Sequence, residues 1–249
     1  ELMTGKTFDR SVSAREQTAN PAVLEVNHLS RKDEYDDVSF TIHKGEVLGL
    51  TGLIGAGRTE IAHTLFGMTQ ASSGTIKLNG NPLVLRSNRD AVREGIAYVS
   101  EDRLALGLIQ PQSISDNLVM AILPELSGPD GLISVRRKRE TVSGGISELG
   151  VKIGKPDDPI STLSGGNQQK VVIAKWLATK PKLLILDCPT VGVDVGARVG
   201  IYNIIRNLAD QGISILLISD EVSEVHYNAD RILHMAGGRV VNQYDPNST

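Results

Sequence analysis

The sequence predicts an α/β fold built around a phosphate-binding loop, with a β-rich N-terminal part and an inserted helical segment. Three observations predict it. First, the apolar run Val47-Leu48-Gly49-Leu50 leads into the glycine-rich Gly52-Leu53-Ile54-Gly55-Ala56-Gly57-Arg58-Thr59, and helical spacing follows from Thr59 to Phe66. Second, the apolar runs Leu183 to Leu186 and Ile213 to Ile218 flank a helical stretch, Arg198 to Asp210. A strand, helix, strand order of this kind pairs its strands in parallel. Third, apolar positions recur at helical spacing through about 112–181.

The remaining elements follow in chain order. Residues 1–21 are polar and aperiodic, end in Asn20-Pro21, and read as an interdomain linker ahead of one nucleotide-binding domain, 22–249. The chain opens at Glu1 without Met, as a piece of a longer polypeptide does. Val23 to Val26 and Val38 to Ile42 are β-type runs, the second alternating. Thr75 to Leu78, followed by Asn79-Gly80, reads as a strand and turn, and Ile96 to Val99 as a buried strand. Helical spacing in the insertion is clearest over Ser115 to Leu123, Ile133 to Leu149 and Gln168 to Ala178. Arg231 to Met235, Ala236-Gly237-Gly238 and Arg239 to Val241 read as a hairpin.

Composition narrows the function. Lys plus Arg is 26 and Asp plus Glu is 29, a net charge of -3, which argues against a nucleic-acid binder. One cysteine excludes an internal disulfide framework and fits a reducing compartment. No apolar run approaches a membrane span, and no secretory signal opens the chain. The expectation is a cytoplasmic protein that meets any membrane through a partner.

Gly52 to Thr59 fits the template G-x-x-x-x-G-K-[ST], with Arg58 where lysine is expected. Glycines let successive N–H groups turn toward phosphate oxygens, and the helix that follows adds its positive end. Thr59 would offer a hydroxyl to Mg²⁺. Arginine keeps the attraction but is broader than lysine. The other reading is a structural turn before a helix. A dinucleotide fold is disfavoured, because Glu60 stands where the third glycine would be. Leu183-Leu184-Ile185-Leu186-Asp187 is an apolar strand ending in an aspartate that could hold Mg²⁺, or simply cap a turn. Leu163-Ser164-Gly165-Gly166-Asn167-Gln168-Gln169-Lys170 is the most specific string, a second anion-binding helix start. Ser143-Gly144-Gly145 shares the tripeptide but not its context.

These strings, with Gly192-Val193-Asp194, resemble the nucleotide-binding domains of ABC transporters. Gly55 to Glu60, Tyr98-Val99-Ser100-Glu101-Asp102-Arg103, Leu163 to Lys170 and Gly192 to Ala197 resemble the second ATP-binding half of bacterial monosaccharide importers of the ribose, galactose and xylose type. The resemblance covers nearly the whole chain. It implies a phosphate-loop NTPase of the ABC ATPase class with the helical subdomain at about 112–181. It implies ATP and Mg²⁺ as ligands. The loop side of the site would comprise Gly52, Gly55, Ala56, Gly57, Arg58, Thr59 and Glu60. The signature, used across a head-to-tail pair, would comprise Ser164, Gly165, Gly166 and Gln168. Thr59, Glu101 and Asp187 would hold the metal. The implied partners are a first half in the same polypeptide, membrane permease subunits and, indirectly, an extracytoplasmic sugar-binding protein. The implied place is the cytoplasmic face of the bacterial inner membrane.

Two positions depart from the active pattern. Cys188 stands where a glutamate polarises water, and a thiol is a poor base for that task. Asp220 stands where a histidine closes on the γ-phosphate. With Arg58 they describe a half that hydrolyses poorly itself and supplies its signature in trans. The rivals are a self-sufficient homodimeric ATPase and a non-catalytic scaffold. Tyr35 either stacks on adenine or sits in the core. Arg136-Arg137-Lys138-Arg139 reads as a solvated helix face. The loop Glu101 to Ser115 either docks a membrane subunit, as the resemblance implies, or is an ordinary surface loop.

Overall fold

The computed structural model describes residues 20–246; nearly all of the linker expected at 1–21 lies outside them. The described chain divides into two compact units. The first takes residues 20–98, Lys182–Cys188 and 205–246; the second takes Val99–Pro181 and Pro189–Ile204. The helical insertion read at about 112–181 is therefore the larger part of a unit that starts earlier and takes in a returning segment.

The first unit carries two sheets. One is antiparallel, built from β1 (Ala22–Arg31), β2 (Tyr35–His43), β4 (Ser73–Leu78) and β5 (Asn81–Pro82) in the order β2-β1-β4-β5. The alternation of β2 buries Val38, Phe40 and Ile42 on one side. The other sheet has the order β10-β9-β3-β8-β7-β6. Its strands are β3 (Val47–Gly52), β6 (Ile96–Val99), β7 (Leu183–Asp187), β8 (Ser214–Ile218), β9 (Arg231–Ala236) and β10 (Arg239–Tyr244). β9, β3, β8 and β7 run parallel, and β9–β10 is the expected antiparallel hairpin. β7 and β8 are buried at every residue, which is why their sequences are continuous apolar runs rather than alternating ones.

Helix α1 (Arg58–Leu65) follows β3 directly, and α7 (Val195–Asp210) links β7 to β8. Two short helices escaped the sequence reading. α2 (Asn88–Glu94) carries a real start signal: Ser87 caps Asp90 N, and Asp90 accepts from Arg86 N. α8 (Val222–Asn228) has no side-chain cap.

The second unit is helical. It holds α3 (Ile114–Val119), α4 (Leu123–Leu126), α5 (Val135–Glu148) and α6 (Gly165–Leu177). A five-residue π turn, Arg103–Gly107, precedes them. Ile114, Leu118, Val142, Val171, Val172 and Ile173 form its core. Asn117 is fully buried and holds the loop before α3, accepting from Ile109 N and donating to Ile109 O and Ser113 O. The basic run Arg136 to Arg139 sits on α5. Arg137 donates to Glu125 O and Leu126 O, capping α4, and Lys138 pairs with Asp116. No helix among the described residues is long and apolar enough to cross a membrane.

Candidate functional site

The loop Gly52 to Gly57 leaves the end of β3 and closes on α1. Two glycines are required by conformation: Gly55 has φ 79° and Gly57, which caps α1, has φ 96°. At Gly57 space is short as well, since a Cβ would lie 2.7 Å from Glu34 O. A Cβ at Gly52 would lie 2.3 Å from Met235 O. Ala56 is buried and its N–H closes a turn on Leu53 O at 3.0 Å. Turns of this kind direct amides toward an anion, and α1 behind them adds its dipole. Glu60 lies in the first turn of α1.

Arg58 is the first residue of α1 and is 6% exposed. Its guanidinium donates to Ser219 O at 2.9 Å and to Leu53 O at 3.3 Å, and it pairs with the Asp220 carboxylate. Its Nε has no partner. Two residues that each depart from the expected pattern thus bond each other. No local pattern signals this, because they stand 162 positions apart.

Asp187 ends β7 and is fully buried. Burial pushes its carboxyl above the usual carboxylate range; hydrogen bonds from Thr59 and Tyr98 act the other way. Tyr98 Oη donates to Asp187 Oδ2 at 3.0 Å and lies 3.2 Å from His63 Nε2. Asp187 Oδ1 is buried with no hydrogen-bond partner. An orphaned carboxylate oxygen beside a threonine hydroxyl fits a hard divalent cation such as Mg²⁺. Tyr98 and His63 were assigned no role from sequence. The available signal was spacing, since Thr59 and His63 are four apart and share a face of α1. Cys188 follows Asp187, is buried, and holds a left-handed φ of 46° while its N–H bonds Ile218 O. Tyr35 is in the core: it is 2% exposed and hydrogen-bonds Thr64 Oγ1 at 2.7 Å. A ring placed there does not stack on a base.

In the second unit Ser164 caps the start of α6 but makes no side-chain cap bond; its Oγ accepts from Asn167 Nδ2 instead. Ser164 is exposed. Gly165 and Gly166 are tightly enclosed. A Cβ at Gly165 would lie 2.7 Å from Gly192 O and 2.9 Å from Arg103 Nη2, and one at Gly166 would lie 2.6 Å from Ala197 Cβ. Arg103 ties this corner together, donating to Val191 O at 2.6 Å and Gly192 O at 3.0 Å. Gln168, assigned to the ligand from sequence, is buried and donates to Ile160 O at 3.4 Å. Its amide supports the turn that precedes α6. Glu101 is exposed and lies just after β6, where the second unit begins. In the loop after it Leu104, Leu106 and Ile109 are exposed.

A sequence profile described as ABC transporter matches residues 35–191. The chain belongs to the ABC transporter family. Among curated relatives, "Ribose import ATP-binding protein RbsA" of Caldanaerobacter subterraneus subsp. tengcongensis is 43% identical over 243 residues, covering 98% of this chain and 49% of that protein. The protein of the same name from Geobacillus kaustophilus is 43% identical over 240 residues, covering 96% and 48%. "Putative ribose/galactose/methyl galactoside import ATP-binding protein 1" of Rhizobium etli is 42% identical, covering 97% and 46%. The chain spans about half the length of these relatives. Among solved structures, cbiO1 from Clostridium perfringens has a TM-score of 0.78 at 24% identity, covering 91% of this chain and 90% of that one. The ADP conformation of the ATP-binding cassette MJ1267 has a TM-score of 0.76 at 21% identity, covering 90% and 91%. The fold of this ABC transporter chain is that of an ATP-binding cassette.

Proposed function

We propose that the chain is the second nucleotide-binding half of a bacterial simple-sugar importer, working at the cytoplasmic face of the membrane with permease subunits and an extracytoplasmic sugar-binding protein. Its loop, Gly52 to Glu60, holds the phosphates of a nucleotide. Thr59 and Asp187 hold Mg²⁺, and the ion screens phosphate charge when bound. This half hydrolyses ATP poorly. Cys188 cannot act as a carboxylate base, and Asp220 offers no imidazole to a γ-phosphate. Its catalytic contribution is made in trans: Ser164, Gly165 and Gly166 at the start of α6 aim N–H groups and a helix dipole at a γ-phosphate held by the first half of the same polypeptide.

The observation that carries this reading is a contrast between the two units. The cation at the phosphate loop is already engaged by the chain's own Asp220. The Ser-Gly-Gly helix start keeps an exposed serine whose hydroxyl does not cap its own helix. The test is steady-state ATPase rate and sugar uptake of the two-half polypeptide assembled with its membrane subunits. Ser164→Arg should lower the rate by about 10²–10³, the usual loss when preorganised donors are removed. Cys188→Ala should change it little. Equal damage from the two variants would overturn the asymmetric assignment and favour a self-sufficient site. Gly165 variants serve this purpose badly, because a side chain there collides within the chain itself.

A further inference from the structure

Arg58 and Asp220 together set what the phosphate loop accepts. Arg58 occupies the position from which the loop template sends a cation to the phosphates. Here that cation is only 6% exposed, and three groups of the chain surround it: two backbone carbonyls and the Asp220 carboxylate. Asp187 bears on it as well, through the charge interaction between the two side chains. The positive charge at the loop is therefore answered before any ligand arrives. The carboxylate of Asp220 is 47% exposed, so it stands at the open side of the pair.

The consequences differ for the phosphates of a nucleotide. The phosphate nearest the loop backbone is held by amide N–H groups and the dipole of α1, whereas the Asp220 carboxylate bonds the side chain of Arg58. One phosphate farther out needs a cation of its own. It would have to displace Asp220 from Arg58 or sit against a like charge, and uncompensated like charges in contact are strongly unfavourable. We propose that Asp220 is a specificity-determining residue of this loop: by occupying Arg58 it makes the site prefer a nucleoside diphosphate to a nucleoside triphosphate. The proposal rests on the assignment of Gly52 to Thr59 as a nucleotide-binding loop.

The test is calorimetric titration of this chain with ADP and with ATP in the presence of Mg²⁺, for the parent, Asp220→Asn and Asp220→Ser. The parent should bind ADP more tightly than ATP by roughly tenfold or more, the scale expected when one like-charge contact is added. Both variants should tighten ATP by roughly tenfold and move ADP by less than about threefold, since only the outer phosphate meets residue 220. Equal shifts for the two nucleotides would overturn the proposal, and so would a parent that prefers ATP. Absence of binding by either nucleotide, in parent and variants alike, would overturn the loop assignment itself. Far-UV circular dichroism identifies a variant that fails to fold, and the serine and asparagine variants stand in for each other.

Discussion

The two Ser-Gly-Gly tripeptides make a direct test of what tertiary packing adds. Gly144 lies inside α5, is exposed, and a methyl group on its Cα would meet nothing within 4 Å. Glycine in a helix interior is about 0.8–1 kcal/mol less favourable than alanine. Gly144→Ala should therefore stabilise, and for a chain of this size each kcal/mol moves Tm by about 2–4 °C. Gly165 starts α6, and its methyl would meet Gly192 O at 2.7 Å and Arg103 Nη2 at 2.9 Å. Arg103 could swing aside only by breaking its bonds to Val191 O and Gly192 O. Gly192 O is backbone and has no rotamer to change. Overpacking of this kind costs about 1–3 kcal/mol, so Gly165→Ala should lower Tm by at least about 2 °C at the scale just given. Thermal unfolding followed by circular dichroism reads both. Variants that shift Tm in the same direction, or a Gly165→Ala transition that does not move, would refute this packing.

Two further outcomes follow from buried charge. Lys175 is 4% exposed, donates to Gly107 O at 2.7 Å, and burial pulls its ammonium down to about 8 from 10.5. The native chain gives up this proton above about 8 while the unfolded chain keeps it to 10.5, so the unfolded state binds more protons in that window and stability gains from Lys175 as pH rises through it. Denaturant unfolding at pH 7 and pH 10 should show the parent improving relative to Lys175→Met, by on the order of 3 kcal/mol from the gap at 1.36 kcal/mol per pKa unit; no change in their difference would refute it. Asp187→Asn should raise Tm when neither Mg²⁺ nor nucleotide is present, since it removes a charge that burial disfavours. The same variant should lose the stabilisation that Mg²⁺ with nucleotide gives the parent, and retention of that stabilisation would remove Asp187 from the cation site.

Local patterning carries much of this fold. β7 and β8 announce themselves as continuous apolar runs because both faces of a parallel strand are buried, and the hairpin of β9 and β10 follows from its Gly-Gly turn. The loop before α1 is legible for the same reason: Gly55 and Gly57 stand where the backbone must turn left-handed, a demand met within a few residues. α8 was not legible, having neither a capping side chain nor enough length for a period to show. Pairings between distant positions were beyond reach as well. Arg58 reads as a phosphate ligand from its place in the loop, yet its bonds depend on the turn after β8, which the parallel register of β3 and β8 brings beside it. Tyr98 on Asp187, and Arg103 against Gly165 and Gly192, likewise depend on which elements become neighbours. The phosphate loop, the buried strands and most helix starts are written in the order of residues alone, because each is a demand on near neighbours along the chain. Which charges are already paired, and which glycines have no room for a side chain, is settled only on folding, because both depend on atoms that the chain brings together from far apart.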